Sequence, residues 1–261
     1  MEGHTEGSRR IGEDENALSR AFAVARSPYA EADAAPDQVI GEVVEAGTAR
    51  FLAQCPRERL HSPPAFGTFV CVPPEGQSRS RLSDGFQEAD DPFAESAPLH
   101  ALPSGVPDGT LYALVFRATT GSLEPGRRPA AYGLDETSLR AEQPQIFDLL
   151  ATEFAALHVG YADAGRFRPH TPPRPPRLHA FVYPCSSEEV SAIAEAPDVL
   201  RTLLQAPGEA SPDALIAACL RHAYARRKAD FAFLVRAGKQ LANLLRDDPE
   251  RLTALLRQLE P

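Results

Sequence analysis

Up to about residue 185 the chain alternates apolar and polar positions with a period of two; beyond it the period lengthens to about 3.6. Val39 to Ala46 is rich in β-branched residues. After Gly47, the segment Thr48 to Cys55 sets Ala49, Phe51, Ala53 and Cys55 against Thr48, Arg50, Leu52 and Gln54. This pattern predicts a hairpin with one buried face. Pro63 and Pro64 mark a turn, and Thr68 to Val72 forms a third strand closed by Pro73 and Pro74. Leu111 to Thr119 carries Tyr112, Leu114 and Phe116 on one face and Leu111, Ala113 and Val115 on the other. Two apolar faces indicate a strand covered on both sides. A helix is expected over Ser138 to Ala151, interrupted or restarted at Pro144. Further strands are expected near Phe154 to Tyr161 and Leu178 to Tyr183, separated by the proline-rich Pro169 to Pro176.

The last part of the chain reads as helical. Ser186 with Glu189 fits a capping box, and Ser211-Pro212 and Asp248-Pro249 each set a capping side chain before a proline at the first helical position. Apolar stripes follow: Leu215, Ile216, Cys219 and Leu220, then Phe231, Leu234, Val235, Leu241, Leu244 and Leu245, then Leu252, Leu255, Leu256 and Leu259. They should pack together and against the strands.

Charge sharpens the domain limits. The 261 residues carry a formal charge of −9, but residues 1–38 and 73–109 together hold 15 acids against 6 bases, leaving a balanced body. Both segments are poor in apolar residues, so they are expected to be disordered, the second as an acidic insertion. The expected organisation is a tail over 1–37, a strand-rich domain over 38–185 and a helical domain over 186–261. The four cysteines, Cys55, Cys71, Cys185 and Cys219, lie far apart in apolar runs, as small buried hydrophobes do. That spacing, an acidic polar N-terminus and the lack of any run of roughly 18 apolar residues predict a cytoplasmic protein with no membrane partner.

Candidate chemistry is sparse. Gly121 to Gly126 copies the first half of a phosphate loop, but Arg127 and Arg128 stand where Lys and Ser or Thr belong. Gly238-Lys239 lacks the earlier glycine, because Phe233 occupies its position. Cys185 with His158, His170 and His179 matches no metal or nucleophile spacing. No catalytic residue, metal or cofactor is therefore assigned. Two basic runs remain: Arg166, Arg168, His170, Arg174, Arg177 and His179 beside Phe167, and Arg221, Arg226, Arg227 and Lys228. Together with Arg127 and Arg128 they are candidates for a partner carboxylate or a nucleic-acid backbone. The bland alternatives are solvated loops, helix C-termini and, for Pro172 to Pro176, a stiff strap across the strands.

The run Ile40 to Ala46, then Thr48 to Cys55, then Ser62-Pro63-Pro64 to Phe69, resembles the opening of the HAS-barrel family, named after the HerA translocase and the ATP synthase. Thr120 to Pro129, Thr152-Glu153-Phe154 and Phe233 to Lys239 extend the resemblance. It implies an α+β chain, a six-stranded β-barrel followed by a C-terminal helical domain, standing alone without the family's motor domain. It further implies a non-catalytic assembly factor that docks onto a HerA-like ATPase or a NurA-like nuclease in DNA processing or repair. Self-association is possible on the same grounds. Direct, salt-dependent nucleic-acid binding through 166–179 and 221–228 is the alternative.

Overall fold

A computed structural model of the chain describes residues 34–77, 79, 100–124, 126–206, 210–228 and 230–259. Among these, seven strands form one antiparallel sheet: β1 (Gly41–Ala46), β2 (Arg50–Gln54), β3 (Phe69–Val72), β4 (Leu111–Ser122), β5 (Leu150–Asp163), β6 (Arg166–Arg168) and β7 (Phe181–Pro184). The order is β2-β1-β7-β3-β4-β5-β6, and β2 also pairs with β5. Six strands therefore close into a barrel, and β6 hangs from β5 as a short hairpin. Helices α1 (Glu136–Glu142) and α2 (Gln145–Asp148) sit in the β4–β5 connection. Helices α3 (Ser187–Ala194), α4 (Pro197–Leu204), α5 (Pro212–Arg226), α6 (Phe231–Leu244) and α7 (Pro249–Arg257) follow the barrel. The α+β architecture expected from the pattern is observed.

The two apolar faces of β4 explain how the parts join. Leu111, Ala113 and Val115 point into the barrel with Val43, Phe51, Val70, Phe154 and Val182. Tyr112, Leu114 and Phe116 point outward, with Phe69, Cys71, Val159 and Tyr183, against Ile193, Leu200, Leu203, Ile216, Phe233 and Leu241 of the helices. The barrel interior is filled by side chains, as the size of a small barrel requires. Its outer face shares a second core with the helices. Gly67 fixes one contact: it holds a positive φ of 85°, and a Cβ there would meet Ala218 of α5 at 2.6 Å.

Several element limits differ from the sequence expectation. The helix expected over Ser138 to Ala151 is two short helices broken at Pro144, and Leu150 and Ala151 instead begin β5, paired with Ser122 and Gly121. Cross-strand pairing with β4 outweighs local helix preference there. The capping box at Ser186 and Glu189 is present, and Asp248 caps α7, whereas Ser211 makes no side-chain cap bond. The starts of α4 and α6 are not among the expected ones. Ala196 offers no cap, and Asp230 accepts from the Phe233 amide.

The tail expected over residues 1–37 lies mostly outside the described residues, as does the centre of the acidic insertion. The insertion's C-terminal end belongs to the barrel: Ala101 bridges Arg166, and Leu102 is buried with its amide donating to the Gly165 carbonyl. No described helix is long and apolar enough to cross a membrane.

Candidate functional site

Nine of the arginines and lysines singled out by sequence do not form one patch, and the tenth, Arg221 on α5, donates to the Gln258 carbonyl. Arg127 and Arg128 lie past the end of β4, where Arg127 pairs with Glu124 at 2.8 Å. Gly121 is a strand residue and Gly126 a turn residue at φ 78°, and the next described helix after Gly126 begins only at Glu136. The segment thus has no helix N-terminus to hold a phosphate. Gly238 sits inside α6 against Leu256 of α7, a small residue at a helix contact.

Arg166 and Arg168 lie on β6, at the opposite end of β5. Thirteen steps of roughly 3.3 Å along that strand put on the order of 40 Å between the two groups. Arg168 pairs with Asp163, and Arg177 pairs with Glu75. Arg166 and Arg174 are exposed. Arg226, Arg227 and Lys228 end α5. There Arg227 pairs with Glu195 and Asp230 and lies over the Phe233 ring, Arg226 is half-buried, and Lys228 is exposed with φ 55°. Among the nine, Arg127, Arg168, Arg177 and Arg227 have their charge answered within the chain.

Residues 169–180 do form a strap. Pro172 and Pro176 are buried against the barrel, and His179 bonds Glu42 of β1 at 2.5 Å. Between the strap, the 73–77 turn and Tyr161 to Asp163 lies a cleft of about 870 Å³. Apolar side chains stand in solvent here: Val44 on β1, Leu178 on the strap and Phe181 at the start of β7 are 40%, 58% and 49% exposed, and the last two line the cleft. Phe181 stands opposite Glu42, and an irregularity between Val43 and Glu45 turns Val44 outward.

The most constrained polar cluster is buried, and sequence reasoning missed it. Cys71 on β3 stands opposite Tyr112 on β4 and Tyr183 on β7. Cys185 follows β7, and Glu189 lies in the first turn of α3. Glu189 Oε1 accepts from Arg79 Nη1 and the Tyr112 hydroxyl, both at 3.0 Å; Oε2 accepts from Arg79 Nη2 at 2.6 Å and the Ser186 amide at 2.7 Å. Arg79 Nη1 also lies 2.8 Å from Cys71 Sγ. One ligand atom each from Cys71, Cys185 and Glu189 falls within 4.8 Å of the others. Burial, followed by the neighbouring Cys71, pushes the Cys185 thiol well up. Burial and then Glu189 push the Tyr112 phenol up. Both groups are neutral near pH 7. The capping box was the one legible part. The other members come from segments whose meeting only the barrel closure determines.

His158, His170 and His179 belong to no metal-capable cluster among the described residues. His158 is buried in the barrel 5.4 Å from the Phe51 ring, and its nitrogens close no well-formed hydrogen bond among the described residues. Burial lowers its pKa to about 4. No protein-family model matches the chain, and no curated protein does so either.

Proposed function

We propose that the chain is a non-catalytic docking factor for a HerA-like DNA translocase, working in DNA processing or repair, with a NurA-like nuclease as the second candidate partner. The observation that carries this reading is the outer wall of β1 and β7. A closed barrel filled by its own side chains offers no internal ligand chamber, so binding falls to its outside. Exposed Val44 and Phe181 stand there near Glu42 and His179, with Leu178 exposed on the adjoining strap, apolar side chains of the kind that partners cover. The resemblance of Ile40 to Phe69 to the HAS-barrel opening supplies the identity of the partner. Direct nucleic-acid binding is favoured less, because the candidate arginines are divided between distant ends of β5 and several are ion-paired.

The test is sedimentation velocity of the full chain mixed with the HerA-like ATPase of the same cell, and separately with the nuclease. Co-sedimentation with either is expected, and its loss in Phe181→Asp at unchanged thermal stability. A chain that sediments alone in both mixtures rules docking out. A Phe181→Asp chain that still binds moves the surface elsewhere.

A further inference from the structure

We propose that Cys71, Cys185 and Glu189 form a buried site for a thiophilic divalent cation of the zinc class, entered where the Nη1 end of Arg79 now lies. Two thiols and a carboxylate are a donor set that suits zinc. Their ligand atoms lie within 4.8 Å of one another on β3, β7 and α3, three elements held in one core. In a tetrahedral site with bonds of about 2.0–2.3 Å, ligand atoms stand roughly 3.5 Å apart. A contraction of up to about 1.3 Å closes the set.

The second observation is that a cationic group already lies between two of these donors. Arg79 Nη1 bridges Glu189 Oε1 at 3.0 Å and Cys71 Sγ at 2.8 Å, while Nη2 holds Oε2 independently at 2.6 Å. Withdrawal of Nη1 alone frees one oxygen and one sulfur for an ion. Nη2 and the Ser186 amide continue to orient the carboxylate, as supporting hydrogen bonds do for metal-binding carboxylates. The Tyr112 hydroxyl, bonded to the same Oε1 at 3.0 Å, supplies a further oxygen beside the site.

Charge balances in both states. Without the ion, one carboxylate and one guanidinium offset each other beside the two cysteines. When M²⁺ enters, each thiol gives up its proton to solvent. Two thiolates, one carboxylate, one guanidinium and one dication again sum to zero, so the core gains no net charge.

Cobalt(II) is the probe, because thiolate ligation gives it a near-ultraviolet charge-transfer absorption that oxygen ligands do not. The reduced full chain with Cys55→Ala and Cys219→Ala retains Cys71 and Cys185 as its only cysteines. Titration should show this absorption saturating at one ion per chain and being displaced by zinc. Cys185→Ser should abolish it, and Arg79→Lys, which cannot keep both Glu189 contacts, should weaken binding by about 10–100-fold. If the two-cysteine chain develops no such absorption, or if Cys185→Ser leaves it unchanged, the site is overturned. The two-cysteine chain decides the matter by itself should Cys185→Ser fail to fold.

Discussion

Arg79 and Glu189 are an ion pair in a place where neither charge can be left alone, with side chains 10% and 1% exposed. Removing one partner from such a pair costs about 3–5 kcal/mol, mostly from the charge stranded in the core. Arg79→Ala should therefore lower unfolding free energy by about that amount in a urea titration; a loss below about 1 kcal/mol would mean the guanidinium is solvated in practice. His158 sets a second expectation, this one in pH. Its folded pKa of about 4 lies below its ordinary 6.5, so the unfolded chain takes up the proton first as pH falls. Its contribution is fully present above about pH 6.5, is lost progressively between 6.5 and 4, and changes no further below 4. The span corresponds to about 3 kcal/mol. His158→Phe, which keeps an aromatic beside Phe51, should flatten that part of the stability profile relative to wild type. Identical slopes for the two chains between pH 4 and 6.5 would refute the assignment.

At the scale of elements, β5 and β6 pack so closely that one glycine controls them. A Cβ at Gly160 would collide with the Arg168 carbonyl and the Phe167 ring, which itself meets Tyr112 edge-on at 5.7 Å. Gly160→Ala should cost on the order of 1–3 kcal/mol through this overpacking, read as a lowered thermal midpoint; an unchanged midpoint would show that β6 simply moves away. The elements themselves were legible where a pattern is local. The alternation through Phe51 and Ala53, the double apolar face of β4 and the cap at Ser186 each name their own structure. Leu150 and Ala151 were not legible as strand, because their pairing with Ser122 and Gly121 is decided 28 residues or more away in sequence. The buried cluster failed for the same reason on a larger scale. Glu189 announced itself as a capping residue, but its bonds to Arg79 and Tyr112 span 110 and 77 positions. Nothing near Glu189 marks them.

For the whole molecule, the distribution of charge decides how strongly it can hold nucleic acid. Each phosphate neutralised on duplex DNA contributes roughly 0.9 to the slope of log affinity against log salt. Arg127 and Arg128 stand at one end of β5, and Arg166 and Arg174 belong to the β6 end, on the order of 40 Å away at about 3.3 Å per residue. Residues divided along the strand in this way build no single compact patch. Arg168 and Arg177 would have to give up Asp163 and Glu75 to join in. At one end, then, about two arginines face the phosphates, on a chain whose net charge of −9 adds repulsion. The expected outcome is weak binding to a short duplex, with a log–log salt slope no steeper than about −2 to −3, abolished by Arg166→Ala with Arg174→Ala. Arg166→Ala alone should leave partner co-sedimentation intact, because Arg166 on β6 does not line the cleft that Arg174 shares with Phe181. A slope of about −6 or steeper would require many more phosphate contacts than this arrangement can supply, and would make nucleic acid, not a protein, the principal ligand of the barrel.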